Sequence, residues 1–482
     1  MIDSRFFREE CFIDGRWVKA GKETIKVGNP ATGEVVGTVP KFGRDETRAA
    51  IDAAHAAFPA WRARPAAERA EFCRKIYDAL MANQEELGRL LTIEMGKPLA
   101  EAKGEVAYAA NFFRWFGEEA RRVYGDIIPS PWTDKRIVVT KEPVGVVGSI
   151  TPWNFPTAMI ARKAAAALAA GCTFVGKPAS QTPYSALAYG VIAEEIGLPK
   201  GVLNIITGSA SAIADEMCEN PKLRKITFTG STEIGKQLSA KAMSHMKRVS
   251  MELGGNAPFI VFDDADLDRA VQGAIASKYR NSGQTCVCAN RLLVHSAVYD
   301  AFAEKLAKAV SKLKVGDGLE AGVEQGPLID EKAVEKVEEH IADATKKGAK
   351  LVLGGHRHKL GHSFFEPTIL LDVAAGMAVA KEETFGPVAP LFRFETEEEA
   401  IRMANDTEFG LASYFYTEDL GRAWRVMEAL EYGIVGINEG IISTEVAPFG
   451  GVKESGVGRE GSKYGLEDYL HIKFALVGGL GR

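Results

Sequence analysis

The sequence has no long apolar run, no basic stretch, no internal repeat and few cysteines. Its longest apolar segment, Ala164 to Gly176, is too short to cross a bilayer and is rich in alanine. The opening residues, Met-Ile-Asp-Ser-Arg-Phe-Phe-Arg-Glu-Glu, lack the apolar centre of a secretory signal and carry early acids. Six cysteines in 482 residues do not make a disulfide scaffold. Only Cys286 and Cys288 lie close together, and no histidine motif accompanies them, so no metal site is expected. His356, His358 and His362 fall in a glycine-rich stretch that reads as a solvated loop. Lysines and arginines are scattered at a net charge of −5, which supplies no phosphate-binding run and argues against nucleic acid. These absences predict a cytoplasmic protein that does not engage a membrane.

What is present is ordinary globular composition in a chain long enough for two or three domains. Against that background two segments stand out. Residues 281–290 read Asn-Ser-Gly-Gln-Thr-Cys-Val-Cys-Ala-Asn, and residues 251–256 read Met-Glu-Leu-Gly-Gly-Asn. Cys286 is a candidate thiol nucleophile and Glu252 a candidate base, provided the fold brings them together. The Gly-Gly after Glu252 lets the backbone pass close to another group. Taken alone, Cys286 reads more readily as a small buried hydrophobe.

Helical periodicity dominates the first 125 residues. Asp45 is the expected N-cap of a helix over 46–57, Pro65 opens a second through Ala82, and 85–94 and 98–122 continue the pattern. Beyond residue 136, short β-branched runs alternate with helices, which means βαβ units and a parallel sheet. The alternation resumes after Glu252, so two α/β domains meet near that residue. Leu470–Val477 reads as a strand without a neighbouring partner, which suits pairing across subunits.

Two glycine motifs need weighing. Gly456, Gly458 and Gly461 match a dinucleotide pattern but follow no strand, and read as a turn. Phe228-Thr-Gly-Ser-Thr-Glu-Ile-Gly-Lys-Gln follows a strand and opens a helix, where backbone N–H groups can hold phosphate. Gln237 stands where a P-loop needs Ser or Thr, so a dinucleotide is favoured over a nucleoside triphosphate. A plain strand–helix turn is the other reading. Gln237, with no Mg2+-binding carboxylate nearby, also argues against a kinase or ligase.

Six motifs in order carry a resemblance: Thr151-Pro-Trp-Asn-Phe-Pro, Lys177-Pro-Ala-Ser, Phe228-Thr-Gly-Ser, Glu252-Leu-Gly-Gly-Asn, Gly283-Gln-Thr-Cys and Glu383-Thr-Phe-Gly-Pro. Across essentially its whole length the chain resembles the aldehyde dehydrogenase superfamily. Cys-Val-Cys-Ala-Asn and Arg459-Glu-Gly-Ser-Lys-Tyr-Gly-Leu-Glu-Asp-Tyr are most similar to the bacterial NADP-dependent succinate-semialdehyde dehydrogenases. The resemblance implies an α/β fold with a Rossmann-type cofactor domain (1–125 and 144–251), an α/β catalytic domain (252–465) and a small β oligomerisation element (126–143 and 466–482). It implies a homotetramer or homodimer and suggests 4-aminobutyrate breakdown as the pathway.

It also implies roles. Cys286 attacks the aldehyde, Asn154 and the Cys286 N–H hold the oxyanion, and Glu252 activates water against the thioester. Trp153, Lys177, Pro178, Ala179, Ser180, Gly230, Ser231, Leu253, Glu383 and Phe385 hold the cofactor. Arg162, Arg280 and Ser443 hold a distal carboxylate on the substrate, for which a planar guanidinium is suited. Cys288 is a candidate redox partner of Cys286. Ser180 stands where NAD-using relatives often carry Glu; a neutral donor beside Lys177 predicts NADP, with NAD used poorly. Gly176, where relatives often carry a larger residue, suggests a looser strand end. Succinate semialdehyde is the expected substrate. Glutarate semialdehyde competes, since one methylene is worth only about 1–3 kcal/mol. A non-catalytic structural protein on the same fold is the alternative of a different class, and the intact Cys286, Glu252 and Asn154 argue against it.

Overall fold

A computed structural model describes residues 4–481 apart from positions 20 and 22. An eight-stranded sheet forms the first layer. Its five central strands, in the order Arg248–Glu252, Leu223–Thr229, Val146–Ile150, Thr173–Lys177 and Leu203–Ile205, run parallel. The strand order reverses between Val146–Ile150 and Leu223–Thr229, because the chain winds outward from that point in both directions. Open α/β sheets bind ligands at such a switch point, outside the carboxyl ends of the strands. Those ends deliver Thr151–Asn154, Lys177–Ser180, Gly230–Ser231 and Glu252–Gly255 to one edge.

A second, seven-stranded sheet draws its strands from Ala257–Val261 to Ile434–Ile437. It is parallel except for the antiparallel edge Lys350–Leu353. The chain then returns to the first sheet, where Gly456–Val457 pairs antiparallel with Met251 and Glu252. Gly456 itself opens that short strand, and Gly458 and Gly461 follow with φ of 92° and 73°, so the pattern is a turn only in its second half.

Three readings of the sequence are corrected. The first 40 residues hold four short strands, not only helix: Cys11–Ile13, Arg16–Val18, Thr24–Gly28 and Val35–Pro40. Cys11–Ile13 is recruited by a distant partner, Phe12 lying opposite Ile205. The first helix runs Arg44–Arg62, and Asp45 sits inside its first turn. Gly43 is the cap, its N–H donating to Glu46 Oε2 at 2.9 Å. The helix continues past Pro59 because Trp61 is buried in the core and holds the last turn in place. Third, Leu470–Val477 has a partner in its own chain: it pairs along its whole length with Arg136–Pro143, which also pairs with Asp126–Ile128. This small sheet carries exposed apolar side chains, Ile127 (78% exposed), Ile472 (72%) and Phe474 (66%) among them.

Candidate active site

Two helices beside the switch point lack local side-chain caps and are capped from afar. The N–H groups of Thr157 and Ala158, which open the helix Pro156–Ala170, donate to Glu105 Oε1 at 2.9 and 3.2 Å. Those of Tyr184 and Ser185, which open Tyr184–Glu195, donate to the two oxygens of Glu94 at 2.8 Å each. Both acids are buried, and burial raises Glu94 to about 8. Helix N-termini need hydrogen-bond acceptors, and here carboxyl oxygens from earlier helices supply them.

Cys286 sits at the end of a tight turn. Asn281, Ser282 and Gly283 have φ of 53°, 57° and 76°, three left-handed residues in succession. Such strain persists only where the surroundings enforce it. Here Asn281 Nδ2 donates to the Asn154 carbonyl at 2.9 Å, Ser282 Oγ to the Gly326 carbonyl at 2.9 Å, and Gln284 Oε1 accepts from the Ile329 N–H at 2.9 Å. A Cβ on Gly283 would lie 2.2 Å from the Gly386 carbonyl, so only glycine fits.

The Gly-Gly after Glu252 passes against this turn. A Cβ on Gly255 would fall 2.4 Å from the Cys286 carbonyl oxygen. The fold therefore brings the Glu252 segment to the Cys286 backbone. Asn154 joins them: its Nδ2 donates to the Gln284 carbonyl at 3.0 Å, two residues before the thiol, while its Oδ1 is buried without a partner. Behind it, Lys97 donates to the Asn154 carbonyl at 2.8 Å and pairs with Glu105.

Cys286 opens onto a cavity of about 280 Å³ that Arg162, Arg280 and Ser443 also line, with Phe155, Phe449 and Met159 between them. Burial, then the Glu383 carboxylate, push the Cys286 thiol up to about 12, so the resting sulfur is a neutral thiol. Arg280 has no carboxylate partner among the described residues; its guanidinium lies 5.5 Å from the Phe155 ring centroid. Arg162 is shared: its Nε lies 2.8 Å from Glu460 Oε2, and its guanidinium sits 4.0 Å from the Phe449 ring centroid.

Glu252 is buried with both carboxylate oxygens unpartnered. Burial and the nearby Glu460 carboxylate hold it well above the usual carboxylate range. Burial works on Glu460 too, but Lys163 and Arg162 outweigh it and keep Glu460 low. A neutral carboxyl thus sits beside a charged one, which fits a base that must shed a proton before it can act.

The family model for the aldehyde dehydrogenase family matches residues 17–475. The chain belongs to that family. It is 65% identical over 479 residues to a glutarate-semialdehyde dehydrogenase of Pseudomonas aeruginosa, covering 99% of each. It is 64% identical over 477 residues to the NADP+-dependent succinate-semialdehyde dehydrogenase GabD of Escherichia coli, again covering 99% of each. A crystal structure of an E. coli NADP-dependent enzyme superposes with a TM-score of 0.98 at 64% identity, covering 99% of each chain. The chain is thus an aldehyde-oxidising enzyme of a family that uses NAD or NADP.

This aldehyde dehydrogenase offers a fitting cradle for a dinucleotide. Lys177 is buried, its ammonium bonded among the described residues to the Pro178 carbonyl alone, at 3.0 Å, and burial lowers it to about 8. A buried cation without a carboxylate calls for an anion. Ala179 and Ser180 follow it out of the strand. Ser180 caps nothing: the N-cap of the next helix is Pro183, so the capping role is absent. Ser231, at the start of the helix Thr232–Ser244, makes no side-chain cap bond and leaves its hydroxyl and the helix N–H groups available. A Cβ on Gly235, one turn on, would meet Leu253 Cδ2 at 2.2 Å, so this glycine serves packing of Leu253. Lys236 pairs with Glu454 instead of facing a phosphate. Trp153 and Phe385 meet edge to face at 5.4 Å, and Glu383 accepts the Gly255 N–H at 3.3 Å. Burial raises Glu383 to about 7.

One expectation changes on contact with the geometry. Gly176 does not loosen the strand end: a Cβ there would meet Phe174 and Ile205 at 2.9 and 3.1 Å, so neighbours already fill the space. Cys288 does not line the cavity. It is buried, and its Sγ donates to the Lys278 carbonyl at 3.4 Å. Lys97, Glu105, Asn281, Lys163 and Glu460 escaped the sequence reading. A buried Lys or Glu carries no spacing signal, and apart from the Lys97–Glu105 pair most of their hydrogen-bond partners lie 52 to 297 positions away.

Proposed function

We propose that the enzyme oxidises a short aldehyde bearing a distal carboxylate, succinate semialdehyde in first place and glutarate semialdehyde in second, with NADP+ preferred. The observation that carries this reading is the unpaired Arg280 guanidinium in the same cavity as Cys286. A half-buried cation without a carboxylate, in a cavity also lined by Phe155, Phe449 and Met159, favours an anionic tail over an apolar one. Arg162 and Ser443 add donors on the same wall. Remote binding of the tail orients the aldehyde over the sulfur.

In this mechanism the Cys286 thiol gives its proton to solvent water and the thiolate attacks the carbonyl carbon, and the oxyanion accepts hydrogen bonds from Asn154 Nδ2 and the Cys286 N–H. The bound dinucleotide supplies the acceptor for the two electrons and hydrogen of the aldehyde carbon. Lys177, Ser180, Gly230 and Ser231 hold its ribose and phosphates; Trp153, Leu253, Glu383 and Phe385 border its reactive end. The product on the enzyme is a thioester of Cys286. Glu252, once deprotonated, takes a proton from water as the oxygen attacks the thioester carbon, and the acid leaves as the thiol is restored.

Ser180 supports NADP: it adds no negative charge beside Lys177, where a 2′-phosphate would be repelled by Glu. The chain divides, in this reading, into a cofactor-binding part (1–125 and 144–251), a catalytic part (252–465) and an oligomerisation element (126–143 and 466–482). The exposed apolar face of the small sheet supports association into a homodimer or homotetramer. A cytoplasmic site of action and a place in 4-aminobutyrate breakdown accompany the substrate assignment.

The test is a set of initial rates for succinate semialdehyde, glutarate semialdehyde and butanal, each with NADP+ and NAD+, in the wild type and Arg280→Ala. Preference for a semialdehyde and NADP+, with the substrate preference lost in the variant, supports the reading. Equal rates on butanal with NAD+ would overturn both assignments.

A further inference from the structure

We propose that Tyr108 is a specificity-determining residue whose hydroxyl donates to the distal anionic group of the substrate; this rests on the reading that the substrate carries such a group. Among the described residues that line the Cys286 cavity, four polar atoms are shut off from solvent without a hydrogen-bond partner: Tyr108 Oη, Thr285 Oγ1, and Arg162 Nε and Nη2, of which the Nε lies 2.8 Å from Glu460 Oε2. Buried polar groups in folded proteins are almost always paired, so the Tyr108 hydroxyl and the Arg162 Nη2, both donors, mark where an acceptor is missing.

No acceptor among the described residues reaches either atom. Two acids line the cavity among those residues. Glu105 spends Oε1 on the Thr157 and Ala158 N–H groups and Oε2 on Lys97. Glu101 turns Oε2 to the Asn281 N–H at 2.9 Å. Burial raises Tyr108 above the usual phenol range, so its hydroxyl keeps its proton and remains a donor.

The position of that donor is fixed. The Tyr108 ring meets Phe112 edge to face at 4.9 Å, and the Arg162 guanidinium lies 5.6 Å from the centroid of the same Phe112 ring. One aromatic side chain therefore sets the hydroxyl and the guanidinium relative to each other. Tyr108 sits on Leu99–Glu119, Arg162 on Pro156–Ala170, and Arg280 just before the Cys286 turn. Donors from three directions converge on one tail. An uncharged hydroxyl adds selectivity that a guanidinium alone does not: it is left unpaired by any substrate lacking an acceptor at that point.

Tyr108→Phe removes the hydroxyl and keeps the ring. With saturating NADP+, the expected result is a KM for the preferred semialdehyde raised on the order of 10-fold, as for a lost hydrogen bond to a charged group. The value of kcat stays within about twofold, and the rate on butanal is unchanged. Calorimetric titration of the cofactor-free enzyme with succinate should show the same weakening, independent of turnover. Unchanged KM and unchanged succinate affinity would overturn the proposal, as would an equal loss on butanal. If the wild type prefers the semialdehyde and Arg280→Ala loses that preference while Tyr108→Phe changes nothing, only this inference falls. If the wild type treats butanal and semialdehyde alike, the substrate reading falls with it.

Discussion

The buried ammonium of Lys97 donates to the backbone carbonyl of Asn154 at 2.8 Å. It pairs at the same time with Glu105 and lies 3.7 Å from the Phe155 ring centroid. Asn281 Nδ2 holds the same carbonyl from the other side. The oxyanion donor is thus positioned through its own main chain, by a cation and an amide that no reacting atom touches. Burial works against the charge of Lys97 and lowers it on balance, and Glu105 offsets part of that effect. Lys97→Met should leave the Glu105 carboxylate buried without its cation. The expected loss is about 3–5 kcal/mol of stability, the usual result of removing one member of a buried pair. Denaturant titration reads it, and adding Glu105→Gln should recover part of the loss. An unchanged midpoint in Lys97→Met would refute the account.

A thiol pushed up to about 12 is almost wholly protonated at neutral pH. Only the thiolate alkylates. In the cofactor-free enzyme, inactivation by iodoacetamide should therefore accelerate roughly tenfold per pH unit between pH 7 and 9, in proportion to the thiolate fraction. A plateau below pH 8 would mean that the sulfur is already ionised and that burial does not govern it.

Glu252→Gln keeps the shape of the buried carboxyl and removes the base. Attack and oxidation do not need it, but thioester hydrolysis does. A burst of about one equivalent of reduced cofactor per site, followed by turnover slower by about 10²–10⁴-fold, is expected in stopped-flow absorbance. Because burial and Glu460 hold Glu252 in its neutral form, wild-type kcat should rise with pH as that proton leaves. Loss of the burst together with turnover would assign Glu252 to an earlier step.

Ser180→Glu places a carboxylate beside Lys177 at the end of Thr173–Lys177. It should lower kcat/KM for NADP+ by about tenfold or more, since one unit of tenfold is about 1.4 kcal/mol and like charges in a partly buried site exceed that. It should raise kcat/KM for NAD+. Steady-state rates with both cofactors decide the matter, and unchanged selectivity would remove Ser180 from the cofactor argument.

Much of this was legible because the chemistry sits in contiguous motifs at strand ends. Thr151–Asn154, Lys177–Ser180, Gly230–Ser231 and Glu252–Gly255 each follow a β-branched run, and the alternation of strands and helices puts such ends on one edge. The Gly-Gly after Glu252 announces a close approach, although not that Cys286 is what it approaches. What stayed hidden depends on partners far along the chain. Glu105 and Glu94 cap helices that start 52 and 90 positions later, where the local residues Phe155 and Pro183 give no sign of a cap. The strand Cys11–Ile13 exists because Leu203–Ile205 offers an edge. The unpartnered Tyr108 hydroxyl likewise has no signature in sequence, since its significance lies in which acceptors Glu101 and Glu105 have already committed.

The return of Gly456–Val457 to the edge beside Met251 and Glu252 also orders events during synthesis. The segment bearing Glu252 leaves the ribosome with one edge bare. The strand that covers it arrives roughly 200 residues later, on the order of 10–40 s at ordinary elongation rates. Through that interval Lys163 and Arg162 have no Glu460 to meet. The nascent chain therefore spends much of its synthesis with buried-to-be cations uncompensated and a sheet edge open, a window in which a chaperone that shields edges would have its greatest effect.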